Sequence, residues 1–256
     1  MSYPMPYLPW PSIQLPLLMF LVRYRRTALG PLWLLVGPSL FIVLLGFLFA
    51  EIGAASPSEF IPHLAIGLVL WTLIQGFVTG ATTVFQRGRA QIMQSGQRLA
   101  DVAAIDVTTN VLIFVHQLPI IIVTLLVYDF DASWSALHAI VGLAVIVANG
   151  VWTAQVFGIL GARFRDLPEV FQALMRIAFL ATPIIWMPGE GARGGVMGVY
   201  LVLNPFYHFI EVVRAPLLGH PVAPLTWVVV GSITVIGFAF ARFMMGRYGR
   251  FVPLWI

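Results

Sequence analysis

The chain has 256 residues, of which 60% are hydrophobic and only 9% charged, where a soluble domain carries about 45 to 50% apolar residues. A water-soluble fold of this length cannot hide that much apolar surface, so most of the chain must face lipid. All 14 basic residues are Arg, with no Lys and no Cys, which excludes a G-x-x-x-x-G-K-S/T phosphate loop, Schiff-base chemistry, disulfides, thiolate metal sites and Cys nucleophiles. Any use of ATP therefore falls to another chain.

Residues 1–12, MSYPMPYLPWPS, hold four prolines and no basic residue ahead of an apolar run, and read as an irregular lead-in rather than a cleavable signal. From 13 to 28, Leu17, Phe20, Leu21 and Tyr24 fall at i, i+3, i+4 and i+7, with Arg23, Arg25 and Arg26 at one end. That layout predicts an amphipathic helix lying in the headgroup plane, with Pro16 in its first turn; a plain basic anchor is the simpler alternative. Six apolar stretches follow, at 31–50, 64–85, 107–128, 139–160, 170–187 and 225–245. Each reaches or approaches the ~20 residues that cross ~30 Å of hydrocarbon. The expectation is an all-α membrane protein, one transmembrane domain over 1–256, with six transmembrane helices and no soluble domain.

Arginine placement orients the spans. Eleven of the 14 Arg lie before the first span, between spans two and three and four and five, and at the end of span six and in the tail. Basic residues in short loops stay on the cytoplasmic face, so the +4 net charge reports topology rather than nucleic acid, and both termini are expected in the cytoplasm. The alternate loops hold only Arg193 and Arg214, among Glu51, Glu59, Asp129, Asp131, Glu190 and Glu211.

The six spans as drawn contain no Asp or Glu. An ion-coupled carrier usually needs a carboxylate at depth, and a metal-dependent membrane enzyme needs carboxylates or clustered His, so no metal site and no internal energy source are expected. His116, followed by Gln117, reads as a hydrogen-bonded packing residue. Two polar stripes do stand out. In span two, Thr72, Gln75, Thr79 and Thr82 recur at helical spacing, beside the small-x-x-x-small pair Gly76 and Gly80. The stripe suits either a partner helix or a wet lumen, and Trp71 either fills the core or offers a ring face to a sugar. At span five, Arg165, Glu169, Gln172 and Arg176 recur at spacings of 4, 3 and 4. This ladder either satisfies itself through neighbouring turns or forms a cytoplasmic mouth that holds an anionic headgroup.

The loops add three features. Segment 86–106 is polar and proline-free, with Ile92, Met93 and Leu99 among its charges, as a short docking helix would be. GARFRDLPEV at 161–170 carries Pro168 where a helix can start. Segment 188–224 predicts two short apolar helices split at Asn204–Pro205, a good N-cap and N1 pair, either dipping into the outer leaflet as re-entrant elements or capping the pathway. Within it Glu211 and Arg214 sit at i, i+3 and are expected to pair, with His208 one turn earlier.

RYRRTALGPLW at 23–33, RFRDLPEV at 163–170, TPIIW at 182–186 and NPFYHFIEVVRAPLLG at 204–219 resemble the permease subunits of ABC exporters for polysaccharides. Nearly the whole chain takes part, and the likeness is strongest to O-antigen export permeases, with capsule and teichoic-acid permeases next. The resemblance implies a homodimer in the bacterial inner membrane, each copy joined to a separate nucleotide-binding ATPase subunit that binds ATP and Mg, this chain holding no cofactor itself. It implies a lipid-linked polysaccharide as cargo, entering beside the interface helix with Arg23, Arg25 and Arg26 near its phosphates. It places coupling to the ATPase at Gln91, Ile92, Met93 and Leu99 and at Arg163, Arg165, Asp166 and Glu169. The substrate path would run by Trp71, Thr72, Gln75, Thr79, Thr82 and Arg176, and the periplasmic gate would hold Asn204, Tyr207, His208, Glu211 and Arg214. Segment 86–106 lacks the proline-bearing run of many relatives. An ABC permease for drugs or small lipids is the neighbouring alternative, and an enzyme or ion-coupled carrier acting alone is the distant one.

Overall fold

A computed structural model describes residues 11–24, 28–52, 56–128, 136–188 and 195–256, and among these the secondary structure is helical with no strand. Helix α1 (Pro11–Tyr24) starts two residues before the expected boundary, so Pro16 sits in its interior and not in its first turn. The cost is one backbone bond to the first turn. Of the stripe Leu17, Phe20, Leu21 and Tyr24, Phe20 is buried while Leu17 and Leu21 are exposed, as is Val22. A 3-10 turn at Gly30–Leu32 leads into α2 (Trp33–Ile52), and α3 (Pro57–Ala81) follows. Two short helices, α4 (Val84–Arg87) and α5 (Arg89–Met93), bridge to α6 (Leu99–Val127), and α7 (Ala136–Arg163) comes next. The chain continues through α8 (Leu167–Ala181), α9 (Gly195–Leu203), α10 (Pro205–Leu217) and α11 (Pro224–Tyr248) to a 3-10 turn at Gly249–Phe251 and α12 (Val252–Trp255).

Five helical stretches, built on α2, α3, α6, α7 and α11, are long and apolar enough to cross a membrane. The expected fifth span, 170–187, is shorter than drawn: α8 has 15 residues, about 22 Å of rise. It stops because Thr182 precedes Pro183 and takes extended angles, φ −93° and ψ 139°, as a residue before proline prefers. The two short helices expected in 188–224 are α9 and α10, which meet at 87° and count together as a sixth crossing or as a re-entrant loop. The other helices extend beyond the apolar windows at one end or both, most of all α6, which begins at Leu99 and not near 107, while α2 starts at Trp33 and α3 ends at Ala81, inside the windows drawn for them. Helices run on past the hydrocarbon layer, which hydropathy alone does not see. The consequence is that α6 carries Asp101 and Asp106, so the spans are not free of carboxylates as expected.

Helix α3 is the centre of the bundle. Leu64, Ala65, Ile66, Val69 and Leu70 are fully buried, and α3 packs on α2, α6, α7, α8 and α10. Helix α2 lies at the rim, with Leu40, Val43, Leu44 and Phe47 outward. Helix α1 packs on α6, where the Phe20 and His116 rings are 4.5 Å apart. His116 Nδ1 donates to the Leu112 carbonyl at 2.7 Å, the packing role expected of it, and Gln117 Nε2 donates to the Leu34 carbonyl at 3.3 Å, tying α6 to the start of α2. The last residues, read in the sequence only as a basic tail, fold back: Val252 is buried with Val84, Phe85, Val102 and Ile159.

Candidate functional site

At the end of the bundle where α3 begins, α10 is fastened by a buried polar network. Asn204 caps α10 by accepting from the Phe206 amide at 3.0 Å and the Tyr207 amide at 3.4 Å, as its place before Pro205 predicts. Its Nδ2 reaches the Thr182 hydroxyl at 3.1 Å, and Tyr200 donates its hydroxyl to the Ala181 carbonyl. Arg214 is only 2% exposed. Its Nε donates to Glu211 Oε1 at 2.8 Å, and Nη2 bonds the same oxygen, the pair expected from the i, i+3 spacing. What the spacing does not reveal is Nη1, which donates to the Pro183 carbonyl at 2.7 Å and to His63 Nε2 at 3.0 Å. Guanidinium has only donors, so His63 Nε2 accepts in that bond, and the same nitrogen lies 3.1 Å from the Pro183 carbonyl. One side chain thus ties α10 to α3 and to the break after α8. His208 does not join it: buried one turn from Glu211, it bonds the Thr226 hydroxyl at 3.1 Å and the Val202 carbonyl at 2.9 Å, clamping α9 and α11 onto α10. Tyr207 sets its ring edge-on to His208, 5.3 Å between centroids.

The two polar stripes part company. In α3, Trp71 is buried against Phe179 and Phe206, at 5.7 and 5.3 Å between ring centroids, so it fills the core and offers no free face to a sugar. Thr82 is fully buried and donates to the Thr79 carbonyl at 2.6 Å. Thr72, Gln75 and Thr79 are half-buried, with Thr72 donating to Leu68 and Thr79 to Gln75 along their own helix. Gly76 lets α6 approach, a methyl there meeting Asn110 Cγ at 3.1 Å. By contrast Arg165, in the turn before α8, and Glu169, Gln172 and Arg176, on α8, are all exposed, and among the described residues the three charged members make no ion pair with one another. The ladder does not close on itself because its side chains extend away from the bundle. Met175 is the one buried residue of α8. Behind the helix lies an apolar cavity of about 520 Å³, walled by Phe77, Trp152, Phe157, Phe171 and Phe206.

At the opposite end, Asp106 of α6 is buried and pairs with Arg87 at 2.7 Å, the arginine also donating to the Gly80 carbonyl at 2.7 Å. Asn110 Nδ2 faces the Asp106 carboxylate at 3.5 Å. Neither His63 nor Asp106 was identified in the sequence as a site residue, since each lies one position outside the span that was drawn; the i, i+4 spacing of Asp106 and Asn110 was the available signal. Arg87→Ala strands a buried carboxylate, at about 1–3 kcal/mol, and the double variant Arg87→Ala, Asp106→Asn should regain much of that in detergent-solubilised thermal unfolding. A double variant no better than the single one would show that the pair is not coupled.

The expected coupling residues cluster at this same end. Ile92 and Leu99 pack on the Val84 and Phe85 core, Met93 is exposed, and Gln91 turns toward a small polar pocket shared with Arg87 and Asp106. Arg163 stacks over Phe164 and Trp255 at 5.6 and 5.9 Å. Asp166 is the residue before α8 and makes no side-chain cap bond, and Glu169 lies in the first turn. Arg25 and Arg26 lie outside the described residues, and Arg23 is described only as part of the α1 backbone. Among the described residues no group of His, Asp and Glu is placed to hold a metal.

A sequence profile of the ABC-2 type transporter family matches residues 18–218. The chain is 24% identical over 201 residues to the O-antigen export system permease protein RfbA of Myxococcus xanthus, covering 77% of this chain and 76% of that one. It is 27% identical over 168 residues to an O-antigen export system permease protein RfbA of Klebsiella pneumoniae, with 64% of each chain covered. The match to the Klebsiella protein thus spans a little under two thirds of its length.

Proposed function

Since the chain belongs to the ABC-2 type transporter family and is a multi-pass membrane permease, we propose that it moves a lipid-linked polysaccharide of the O-antigen kind out across the bacterial inner membrane, as a homodimer powered by a separate ATPase. The family and the names of the relatives support the cargo class. The observation that carries the two-copy arrangement is the outward stripe of α8. Glu169, Gln172 and Arg176 are exposed on a helix whose opposite face packs on the bundle through Phe171, Met175, Ala178 and Phe179, and lipid is a costly neighbour for such groups. A two-fold axis beside α8 turns two such stripes toward one shared, wet passage.

In that passage a polyol chain meets the Gln172 amides, which make and break weak bonds, beside the charges of Glu169 and Arg176 from each copy. The α5 end, with Ile92, Met93 and Leu99 close to Arg163 and the fold-back of α12, is the surface on which the ATPase would push. The network around Arg214 would hold the outer gate, and Arg23, Arg25 and Arg26 would guide the lipid phosphates. The test is co-purification with an ATPase subunit and ATP hydrolysis that rises with a lipid-linked oligosaccharide. Turnover of a substrate by the purified chain with no ATPase present would overturn it. Arg25→Ala with Arg26→Ala is expected to cut surface glycan several-fold at normal protein levels; unchanged export would remove the phosphate-guiding role.

A further inference from the structure

Away from the passage, α7 and α11 part to leave a groove of about 690 Å³ lined by Gln155, Phe238, Arg242, Met245 and Gly246. We propose that this groove binds an anionic phospholipid, with Arg242 and Gln155 on its phosphate and its acyl chains along the outer face of α11. The groove begins where the two helices stop touching. Beside it they are locked together: Asn149 Nδ2 donates to the Thr234 hydroxyl at 2.8 Å, and the Trp152 ring lies so close to Gly237 that a methyl there would meet Trp152 Cδ2 at 2.6 Å. Toward the end of α11, Gly246 leaves the floor open, with nothing within 4 Å of a methyl built on it.

Charge selects the occupant. Arg242 is exposed and, among the described residues, makes no hydrogen bond or ion pair. Neither 136–163 nor 219–256 contains a single Asp or Glu, while Arg163, Arg242, Arg247 and Arg250 gather toward one end. Arg163 and Arg250 are taken up by aromatic faces; Arg242 is not. A cation in a groove between membrane helices near one surface is the setting in which anionic headgroups bind. Arg242 precedes Tyr248, the last residue of α11, by six positions, about 9 Å, within reach of the phosphate level for an arginine that snorkels. Position supplies the rest: Val235 and Val228 stand seven and fourteen residues before Arg242 on the same face, both exposed. An apolar ridge ending in an unpaired guanidinium matches a lipid tail ending in a phosphate.

The full chain, extracted in mild detergent and incubated with phosphatidylglycerol, phosphatidylcholine or inorganic phosphate, is read by native mass spectrometry for retained lipid. Wild type is expected to keep phosphatidylglycerol in preference to phosphatidylcholine, and Arg242→Gln to weaken that retention about fivefold. Arg247→Gln, the same loss of charge outside the groove, should leave it unchanged. Gly246→Leu fills the groove while keeping every charge, so it should match Arg242→Gln and serves if that variant does not fold. Equal retention of both lipids, wild-type retention in both groove variants, or displacement of the lipid by inorganic phosphate at equal concentration would each overturn the proposal. Because the assay needs neither ATPase nor glycan, its failure leaves the export reading standing, and the reverse.

Discussion

Gly161→Ala is expected to prevent the bundle from closing. Gly161 is buried in α7 directly against the end of α3, and a methyl there would overlap the Thr82 carbonyl oxygen and lie 2.7 Å from its carbonyl carbon. The obstacle is backbone, which cannot rotate aside as a side chain does. Thr82 is fully buried, its amide bonded to the Gly80 carbonyl and its hydroxyl to the Thr79 carbonyl. The Gly161 carbonyl itself accepts from Gln86 Nε2 at 2.6 Å, so a shift of α7 breaks a bond as well as relieving a clash. Overpacking ordinarily costs about 1–3 kcal/mol, and a backbone obstacle puts this variant at or above the upper end. Gly231→Ala is the control, since nothing lies within 4 Å of a methyl there. Alanine at that position should be neutral or stabilising by up to about 1 kcal/mol. Thermal unfolding of the two solubilised variants measures the contrast, and a Gly161→Ala protein as stable as wild type would mean that α3 and α7 are not in register as described.

The outcome at Gly161 also marks the limit of what the sequence makes legible. The membrane class, the helical fold, the Asn204 cap and the Glu211–Arg214 pair are all readable, because each depends on composition or on residues three or four positions apart. Contacts between helices depend on rotation and height, which no local pattern encodes. Gly161 is one of many glycines until α7 is set against Thr82. Asp106 looked like a loop residue because hydropathy finds the hydrocarbon layer and not the end of the helix that crosses it, and only with α6 starting at Leu99 does the carboxylate turn inward to Arg87. The α3 and α8 stripes both follow steps of three and four residues, yet one is half-absorbed into the bundle and the other is exposed, since α3 is surrounded and α8 lies at the edge. The fold-back after Gly249 was hidden by its arginines, which read as a solvated tail while Val252 goes to the core.

Arg214→Leu should be the most damaging substitution of a charged residue. The guanidinium is 2% exposed and serves three elements: Glu211 on its own helix, His63 on α3 and the Pro183 carbonyl after α8. Leucine fills the volume but leaves the Pro183 carbonyl and His63 Nε2, 3.1 Å apart, with only each other in place of the guanidinium, and Glu211, about one-fifth exposed, without its cation. Breaking a buried pair from one side costs about 3–5 kcal/mol. Arg214→Lys tests whether charge alone is enough. A single ammonium cannot span a carboxylate, a carbonyl and an imidazole in the geometry of a planar fork, so lysine should recover only part of the loss. His63→Ala removes one neutral acceptor and should cost less than either, on the order of 1–3 kcal/mol. The cycle built from Arg214→Leu, His63→Ala and the double variant isolates their coupling. A coupling of zero, or an Arg214→Leu protein that melts with wild type, would show that α10 is held down by its apolar face and not by this arginine. A large coupling would make His63, in the central helix, part of whatever moves α10, so that a displacement of α3 or of the Pro183 break reaches α10 through one side chain.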